Sequence, residues 1–263
     1  MRLRLWQVDA FAERVFGGNP AAVVPLEAWL PDETLQGIAT ENNLSETAFL
    51  VPEPDGFHLR WFTPVYEVDL CGHATLASAH VVFTHLQPAW RAVTFRTRSG
   101  PLTVERREGG LLAMTFPRKT PAPCAVPDVV IHALGGVVPE AAFTARDTFA
   151  VLRSEAEVRA AAPDLAAVKT LPGHGLVVTA PASTPGVDFV SRFFAPQAGI
   201  AEDPVTGSVH CALIPYWAAR LGKRRLEALQ VSRRGGRLSC EDRDETVGIA
   251  GKAVPYLEGW IEV

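Results

Sequence analysis

Cysteine is scarce in this sequence, and its placement suggests neither a disulfide scaffold nor a metal centre. The four cysteines among 263 residues are scattered without a Cys-x-x-Cys spacing, so free thiols are expected. The seven histidines show no zinc pattern either, because His73 and His80 lie two helical turns apart, too far to share one ion. The sequence therefore predicts no bound metal.

The chain also lacks an excess of positive charge and any long apolar run. Its 25 Lys and Arg against 29 Asp and Glu give a formal net charge of -4, which offers no basic face for nucleic acid. Residues 1–9 alternate apolar and polar side chains instead of forming a signal-peptide core, and no later stretch is apolar for long enough to span a bilayer. We expect a cytoplasmic protein whose partner is a small molecule.

One pattern occurs twice in the chain. It consists of an aromatic strand, a loop, a glycine followed by a polar residue, and a helix too apolar to face water. The two copies are 60–64 with 67–83, and 192–196 with 202–217. At 263 residues, with 48% hydrophobic and 21% charged residues, the chain can form a core in each half. We interpret it as a duplicated fold.

Hydrophobic periodicity and turn residues predict the elements of each half. In the first half we expect strands at 2–11, 21–24, 45–51, 57–62, 92–97, 101–106 and 111–116, a helix capped by Asp32, and a central apolar helix at 73–83. In the second half we expect helices at 128–134, 155–162 and 208–221, the last ended by Gly222, and strands at 149–152, 176–180, 188–195, 225–232, 237–240, 246–254 and 259–263.

A proline-rich segment separates the halves. The four prolines of 117–127 make it stiff and extended, unsuited to a sheet interior. We therefore expect domains at 1–117 and 118–263, with the final strand able to pack back on the first domain. Two such units facing each other would place both helix starts at a shared cleft, where ligands bind between domains.

The two helix starts are the first candidates for chemistry. A helix N-terminus carries unpaired N–H groups and a partial positive charge, so it binds carboxylates and stabilises oxyanions. Gly72 and Gly207 would let a substrate approach those amides closely. The alternative is that Ser208 caps its own helix and Gly72 makes a tight turn. The occurrence of two matched copies favours anion binding.

Glu46 is the candidate base. The period of two places it on the same strand face as Ala48 and Leu50, in an apolar neighbourhood of the kind that turns a carboxylate into a general base. Alternatively, it is a strand-end carboxylate that turns into solvent.

Four further residues have two possible roles each. Asp203 could orient a base or shuttle a proton, or initiate a turn before a proline. His73 could act as a neutral imidazole, favoured by the helix dipole, or cap the helix. Asn19 could hold a substrate amine or carboxylate, or be an ordinary turn residue. Cys71 could be a stabilised thiolate or an inert buried thiol.

These residues resemble the phenazine-biosynthesis PhzF-like isomerase family, part of the diaminopimelate-epimerase-like superfold. The matching motifs span nearly the whole chain: QVDAF at 7–11, FGGNPA at 16–21, SETAF at 45–49, DLCGHAT at 69–75, EDPVTGS at 202–208, and QVS at 230–232 with RGG at 234–236. The resemblance implies an α+β fold of two similar domains, each a curved, mostly antiparallel sheet around a central apolar helix, with the active site in the interdomain cleft.

The resemblance also implies cofactor-free proton transfer. It assigns the base to Glu46, supporting acid–base and binding positions to His73, Asp203 and Ser208, and backbone sites to Gly72 and Gly207. Asn19 is retained as a further substrate contact. A homodimer is a possible assembly.

The sequence departs from the pattern of the epimerases and racemases of this superfold at one cysteine position. Its epimerases and racemases use two opposed cysteines, one at each helix start, whereas this chain has Cys71 at the first start and Thr206 at the second. The sequence therefore predicts a one-carboxylate isomerase acting on a small carboxylate-bearing metabolite. An amino-acid or hydroxy-acid racemase is the alternative enzyme, including one with a mixed pair of Cys71 and Asp203, and a non-catalytic binding protein is the alternative class.

Overall fold

The computed structural model describes residues 1–263 as two compact units. Unit 1 contains Met1–Thr115 and Ala250–Val263, and unit 2 contains Phe116–Ile249. The first division thus lies two residues before the boundary expected after residue 117. The C-terminal strand belongs to unit 1, the arrangement that the sequence analysis named as an option for that strand.

Strands dominate the chain. They are β1 (Arg2–Ala10), β2 (Asn19–Pro25), β3 (Glu46–Glu53), β4 (Gly56–Phe62), β5 (Glu67–Val68), β6 (Ala92–Thr97), β7 (Gly100–Arg106), β8 (Leu112–Pro117), β9 (Ala122–Cys124), β10 (Ala141–Thr144), β11 (Thr148–Val151), β12 (Leu176–Pro181), β13 (Phe189–Ala195), β14 (Ile200–Asp203), β15 (Arg225–Gln230), β16 (Gly236–Arg243), β17 (Thr246–Gly251) and β18 (Ala253–Glu262). The α-helices are α1 (Asp32–Asn42), α2 (Gly72–Val81), α3 (Asp128–Ala133), α4 (Glu155–Ala160), α5 (Leu165–Val168) and α6 (Gly207–Leu221). A π-helical turn at Val82–Leu86 continues α2, and 3-10 turns lie at Glu108–Gly110 and Pro196–Ala198.

The sheet of unit 1 is mostly antiparallel. β1 pairs with β18 and β2, β3 with β4, β4 with β5, and β7 with β6 and β8, all antiparallel. The two parallel pairs, β2 with β3 and β4 with β6, are each joined by a helical crossover, α1 and α2 respectively. Such crossovers are required because a tight hairpin cannot join parallel strands.

Unit 2 repeats this order of pairings. β10 pairs antiparallel with β9 and β11, β13 with β12 and β14, and β15 with β16. The parallel pairs are β11 with β12, joined through α4 and α5, and β13 with β15, joined through α6. The short strands β5 and β14 occupy equivalent places in the repeat, directly before α2 and α6. The duplication is therefore present in the hydrogen bonding of the strands as well as in the sequence.

The repeated apolar helices are the most deeply buried ones in their units. Eight residues of α2 and ten of α6 are buried, in keeping with helices that are apolar on nearly every side. α2 packs against β1, β2 and β3, and α6 against β15 and β16. Trp217 of α6 is fully buried, stacks on Phe189 and donates a hydrogen bond to the Thr179 hydroxyl. The helix starts are held in place by these surrounding sheets.

Further helices cover part of each sheet. Leu35, Ile38 and Ala39 of α1 form an apolar cluster with residues of β1, β2 and β3. In unit 2, α3, α4 and α5 contribute to a second such cluster with β11, β12 and β13.

The expected cap of α1 is wrong: Pro31 is the N-cap, and Asp32 lies in the first turn with its carboxylate bonded to Arg60.

A buried carboxylate anchors the start of α4. The Glu155 side chain is 4% exposed and accepts hydrogen bonds from the backbone N–H groups and hydroxyls of Ser183 and Thr184 and from the Arg159 guanidinium. Burial by itself would raise the pKa of Glu155, but the hydrogen bonds from Thr184, Arg159 and Ser183 lower it to about 2. Glu155 thus ties the loop after β12 to α4.

No helix in the structure combines the length and apolarity needed to cross a membrane.

Candidate active site

Three predicted site residues meet in unit 1 because of how β2, β3 and α2 are placed. Asn19 begins β2 and Glu46 begins β3, and the parallel register pairs Ala21 with Glu46, so both side chains lie near the same end of the two strands. His73 is the second residue of α2, directly after Gly72. All of these positions lie at the starts of strands or of a helix.

His73 is the centre of this group. Its Nε2 atom lies 3.1 Å from Oε2 of Glu46, a contact that is not aligned as a hydrogen bond, and its Nδ1 atom lies 3.2 Å from Nδ2 of Asn19. Ser45, which the sequence analysis did not single out, donates from its hydroxyl to Oδ1 of Asn19 at 3.1 Å. The side chains of Glu46 and His73 are only 13% and 7% exposed, so their charges are weakly screened.

The pKa of His73 and the surroundings of Glu46 both differ from what the sequence predicted. The helix start was expected to favour a neutral imidazole, and an apolar neighbourhood was expected for the carboxylate. Burial disfavours the imidazolium, but interactions with Cys71 and Glu46 favour it and raise the pKa of His73 well above its ordinary range. A carboxylate beside an imidazole ring can take up and return a proton in a nearly dry site.

Cys71 is the N-cap residue of α2 and is buried. Its Sγ atom lies 3.5 Å from Nδ1 of His73. Burial and the neighbouring Glu46 charge raise the pKa of the Cys71 thiol to about 11, which keeps it protonated at neutral pH. Of the two readings of Cys71, this geometry favours the inert buried thiol.

The same three side chains could also hold a metal ion. Ligand atoms of Glu46, Cys71 and His73 all lie within 4.8 Å of one another. The absence of a bound metal stays a prediction of the sequence.

The remaining predicted residues meet in unit 2, at the start of α6. Asp203 ends β14, Thr206 is the N-cap, and Gly207 and Ser208 are the first two helical residues. The Thr206 hydroxyl donates to the Asp203 carboxylate, and the Arg146 guanidinium donates to the Ser208 hydroxyl at 3.3 Å. Ser208 therefore lies inside the first turn and does not cap its own helix.

The two helix starts share a feature relevant to anions. Neither N-cap side chain accepts a hydrogen bond from the first-turn amides of its helix. Neither Gly72 nor Gly207 has a positive φ, so a left-handed turn is not the reason for glycine at these positions. What glycine provides there is a backbone without a Cβ, which a ligand can approach closely.

Gln230 was missed as a site residue, although its motif was noted. Its buried carboxamide accepts from the Thr206 N–H and donates to the Asp203 carbonyl. A signal for it was available: Leu226, Ala228 and Gln230 alternate along β15 on the buried face, and a buried glutamine needs hydrogen-bond partners.

Comparison with known proteins decides the family. The model of the phenazine biosynthesis-like proteins, PhzC-PhzF, matches residues 8–259. This chain belongs to that family. An uncharacterized isomerase of Pseudomonas aeruginosa is 54% identical over 263 residues, with all of both chains covered. The crystal structure of a PhzF-family phenazine biosynthesis protein from Enterococcus faecalis superposes with a TM-score of 0.96 at 47% identity, again over all of both chains.

More distant structures show how widely the fold occurs beyond the PhzC-PhzF family. A hydroxyproline epimerase from Agrobacterium vitis, solved with bound trans-4-hydroxy-L-proline, has a TM-score of 0.58 at 12% identity and covers 99% of this chain and 92% of its own. At that identity the likeness concerns the fold alone. The predicted family and α+β fold class are confirmed. Membership of the PhzC-PhzF family and its relatives named isomerases support an isomerase role on a small molecule.

Proposed function

We propose that this protein is a cofactor-independent isomerase that moves a proton, and with it a double bond, on a small carboxylate-bearing metabolite. The observation that carries the proposal is the buried contact between Glu46 and His73 beside the start of α2. A single carboxylate beside an imidazole ring suits removal and return of one proton, and the N-cap of α6 is Thr206 instead of a second cysteine.

The proposed reaction begins with Glu46 as general base. Glu46 takes a proton from a carbon activated by a neighbouring unsaturated or carbonyl group, and the electron pair of that C–H bond shifts the double bond. Glu46 then returns the proton to the carbon at the other end of the shifted system, so that substrate and product have the same composition. His73 stabilises the developing negative charge as a hydrogen-bond donor.

The other residues are proposed to bind and orient. First-turn amides at Gly72 and Gly207, with the Ser208 hydroxyl, receive the substrate carboxylate. Asp203 serves as the second acid–base group, and Asn19 fixes both His73 and a polar substituent of the substrate. The homodimer and the cytoplasmic location stay predictions.

The test is proton exchange into candidate substrates. The protein is incubated in D2O with EDTA and a panel of small carboxylates: β,γ-unsaturated acids, cyclic dienoic acids, and amino and hydroxy acids. We expect NMR and mass spectrometry to show deuterium at carbon in at least one unsaturated acid, together with a moved double bond. Exchange only at the α-carbon of an amino or hydroxy acid, or no exchange in any compound, would contradict the proposal.

A racemase or epimerase is the second candidate, favoured by one observation: the Cys71 thiol touches the His73 ring. For the isomerase, Cys71→Ala should retain exchange within about tenfold of wild type, since a catalytic acid or base is worth roughly 10²–10⁴-fold. Cys240→Ala, which removes a buried thiol in unit 2, is the matched control for lost packing. If Cys71→Ala instead loses as much as a Glu46 variant, the thiol is a catalytic base and the racemase holds.

A further inference from the structure

Gln230 has no role in the proposed reaction as described so far, yet it is fully buried at the start of α6. Its side chain makes three hydrogen bonds. Oε1 accepts from the Thr206 N–H at 2.9 Å, and Nε2 donates to the Asp203 carbonyl at 2.8 Å and to the Thr206 hydroxyl oxygen at 3.2 Å. A single side chain thus holds both ends of the loop between β14 and α6.

The orientation of this carboxamide follows from its partners. The Thr206 N–H can only donate, so it requires the amide oxygen, and the Asp203 carbonyl can only accept, so it requires the amide nitrogen. No other assignment satisfies both. The second N–H of Gln230 then occupies a lone pair of the Thr206 hydroxyl oxygen.

The bond from Gln230 to the Thr206 hydroxyl determines the direction of the hydrogen bond between Thr206 and Asp203. Because the Thr206 hydroxyl accepts from Gln230, its own proton is available for donation, and its partner is Oδ2 of Asp203. An O–H donor stabilises the ionised form of a carboxylate over the protonated form. Gln230 therefore acts on Asp203 through Thr206 as well as through the backbone.

We propose that Gln230 is a positioning residue that directs the Thr206 hydroxyl onto Asp203, and so orients the Asp203 carboxylate at the start of α6 and favours its ionised form. Its catalytic consequence rests on the proposed function, in which Asp203 is the second acid–base group. The hydrogen-bond chain itself exists without substrate, so it can be tested separately.

Three charged side chains near these hydrogen bonds have other partners. Glu202 is paired with Arg192, and Arg146 donates to Ser208; none of the three bonds to Gln230 or Thr206. A substitution at Gln230 leaves these charges in place, so a change in the titration of Asp203 reports on the hydrogen-bond chain.

The experiment follows the ionisation of Asp203 in the full chain. Protein labelled with ¹³C at aspartate carboxyl carbons is titrated by NMR, and the Asp203 resonance is identified by its loss in Asp203→Asn. Gln230→Met keeps the side-chain volume and loses all three bonds, so that the Thr206 hydroxyl is no longer held toward Asp203. We expect the proton affinity of Asp203 to rise about tenfold, the worth of the Thr206 hydrogen bond to the charged carboxylate. Gln197→Met is the control, because Gln197 also bonds backbone carbonyls in unit 2 but lies outside this chain.

Thr206 provides a second route to the same answer if Gln230→Met does not fold. Thr206→Val removes the hydroxyl and keeps the shape, and should raise the proton affinity of Asp203 by a similar factor, whereas Thr206→Ser should restore the wild-type value. Equal titration of Asp203 in wild type, Gln230→Met and Thr206→Val would overturn the proposal. The expected shifts without isomerisation of any substrate would contradict the proposed function and leave the role of Gln230 intact.

Discussion

Glu46→Gln is expected to abolish deuterium incorporation into the substrate, lowering the exchange rate by roughly a thousandfold or more, as expected for loss of a general base. Glutamine has nearly the same shape as glutamate, so β3 and its pairing with β2 should be unchanged, but the amide cannot take up the substrate proton. The rate is measured in D2O by NMR on the substrate identified in the carboxylate panel, with protein in catalytic amount.

Glu53→Gln is the matched control because Glu53 ends the same strand and forms a partly exposed ion pair with Arg96. It should exchange at the wild-type rate, since an exposed ion pair contributes little to stability. Circular dichroism should show the same fold in all three proteins. Exchange that survives in Glu46→Gln would move the role of base to another group and would refute the mechanism proposed for Glu46.

Glu155→Gln is expected to destabilise the protein by about 3 kcal/mol at pH 7, since hydrogen bonds to a buried charged group are lost and a buried donor is left unpaired. One carboxylate oxygen accepts from Arg159 and the Thr184 hydroxyl, and the other from Ser183 and the Thr184 N–H. In glutamine one of these oxygens becomes an NH2 group, and either orientation turns it toward a group that can only donate: the Arg159 guanidinium in one, the Ser183 and Thr184 N–H groups in the other. At least one buried donor therefore loses its acceptor.

The same argument predicts how the loss depends on pH. The pKa of Glu155 is lowered in the folded protein, from 4.5 to about 2. A depressed carboxyl pKa contributes stability that is complete above pH 4.5 and is lost as the pH falls from there toward 2. The difference between wild type and Glu155→Gln should therefore be largest near neutral pH and shrink in acid.

Urea denaturation at pH 7, 4 and 3 measures this difference directly. Glu140→Gln is the control in unit 2, because Glu140 is 42% exposed and pairs with a similarly exposed Arg220. It should cost less than about 1 kcal/mol at every pH. A difference for Glu155→Gln that does not change between pH 7 and 3 would show that the carboxylate charge contributes nothing there.

Long, strongly patterned elements could be predicted from the sequence. The apolar helices α2 and α6 were recognised because no face of either is polar, and the end of α6 at Gly222 follows from its left-handed conformation. The short strands β5, β9, β10 and β14 were missed. They have two to four residues each, too few to show a periodic pattern, and pairing with other strands stabilises them more than their own sequence does.

The candidate site was likewise predicted only in part. Glu46, His73 and Asp203 were named from residue type and motif, but their chemical states depend on neighbours. The pKa of His73 could not be inferred from the helix dipole alone, because the packing of α2 against β3 brings Glu46 to its ring. The role of Gln230 depends on a loop 24 residues earlier in the chain, at Thr206.

By itself, the sequence determined the repeat, the two apolar helices with glycine at their starts, and the residue types available for proton transfer, because periodicity and motif spacing are local properties of the chain. Only the tertiary structure decided which side chains touch. The packing of α2 against β3 placed His73 against Glu46, and the packing of α6 against β15 placed Thr206 against Gln230. Burial then made those contacts strong, since charges and hydrogen bonds act strongly where water is excluded.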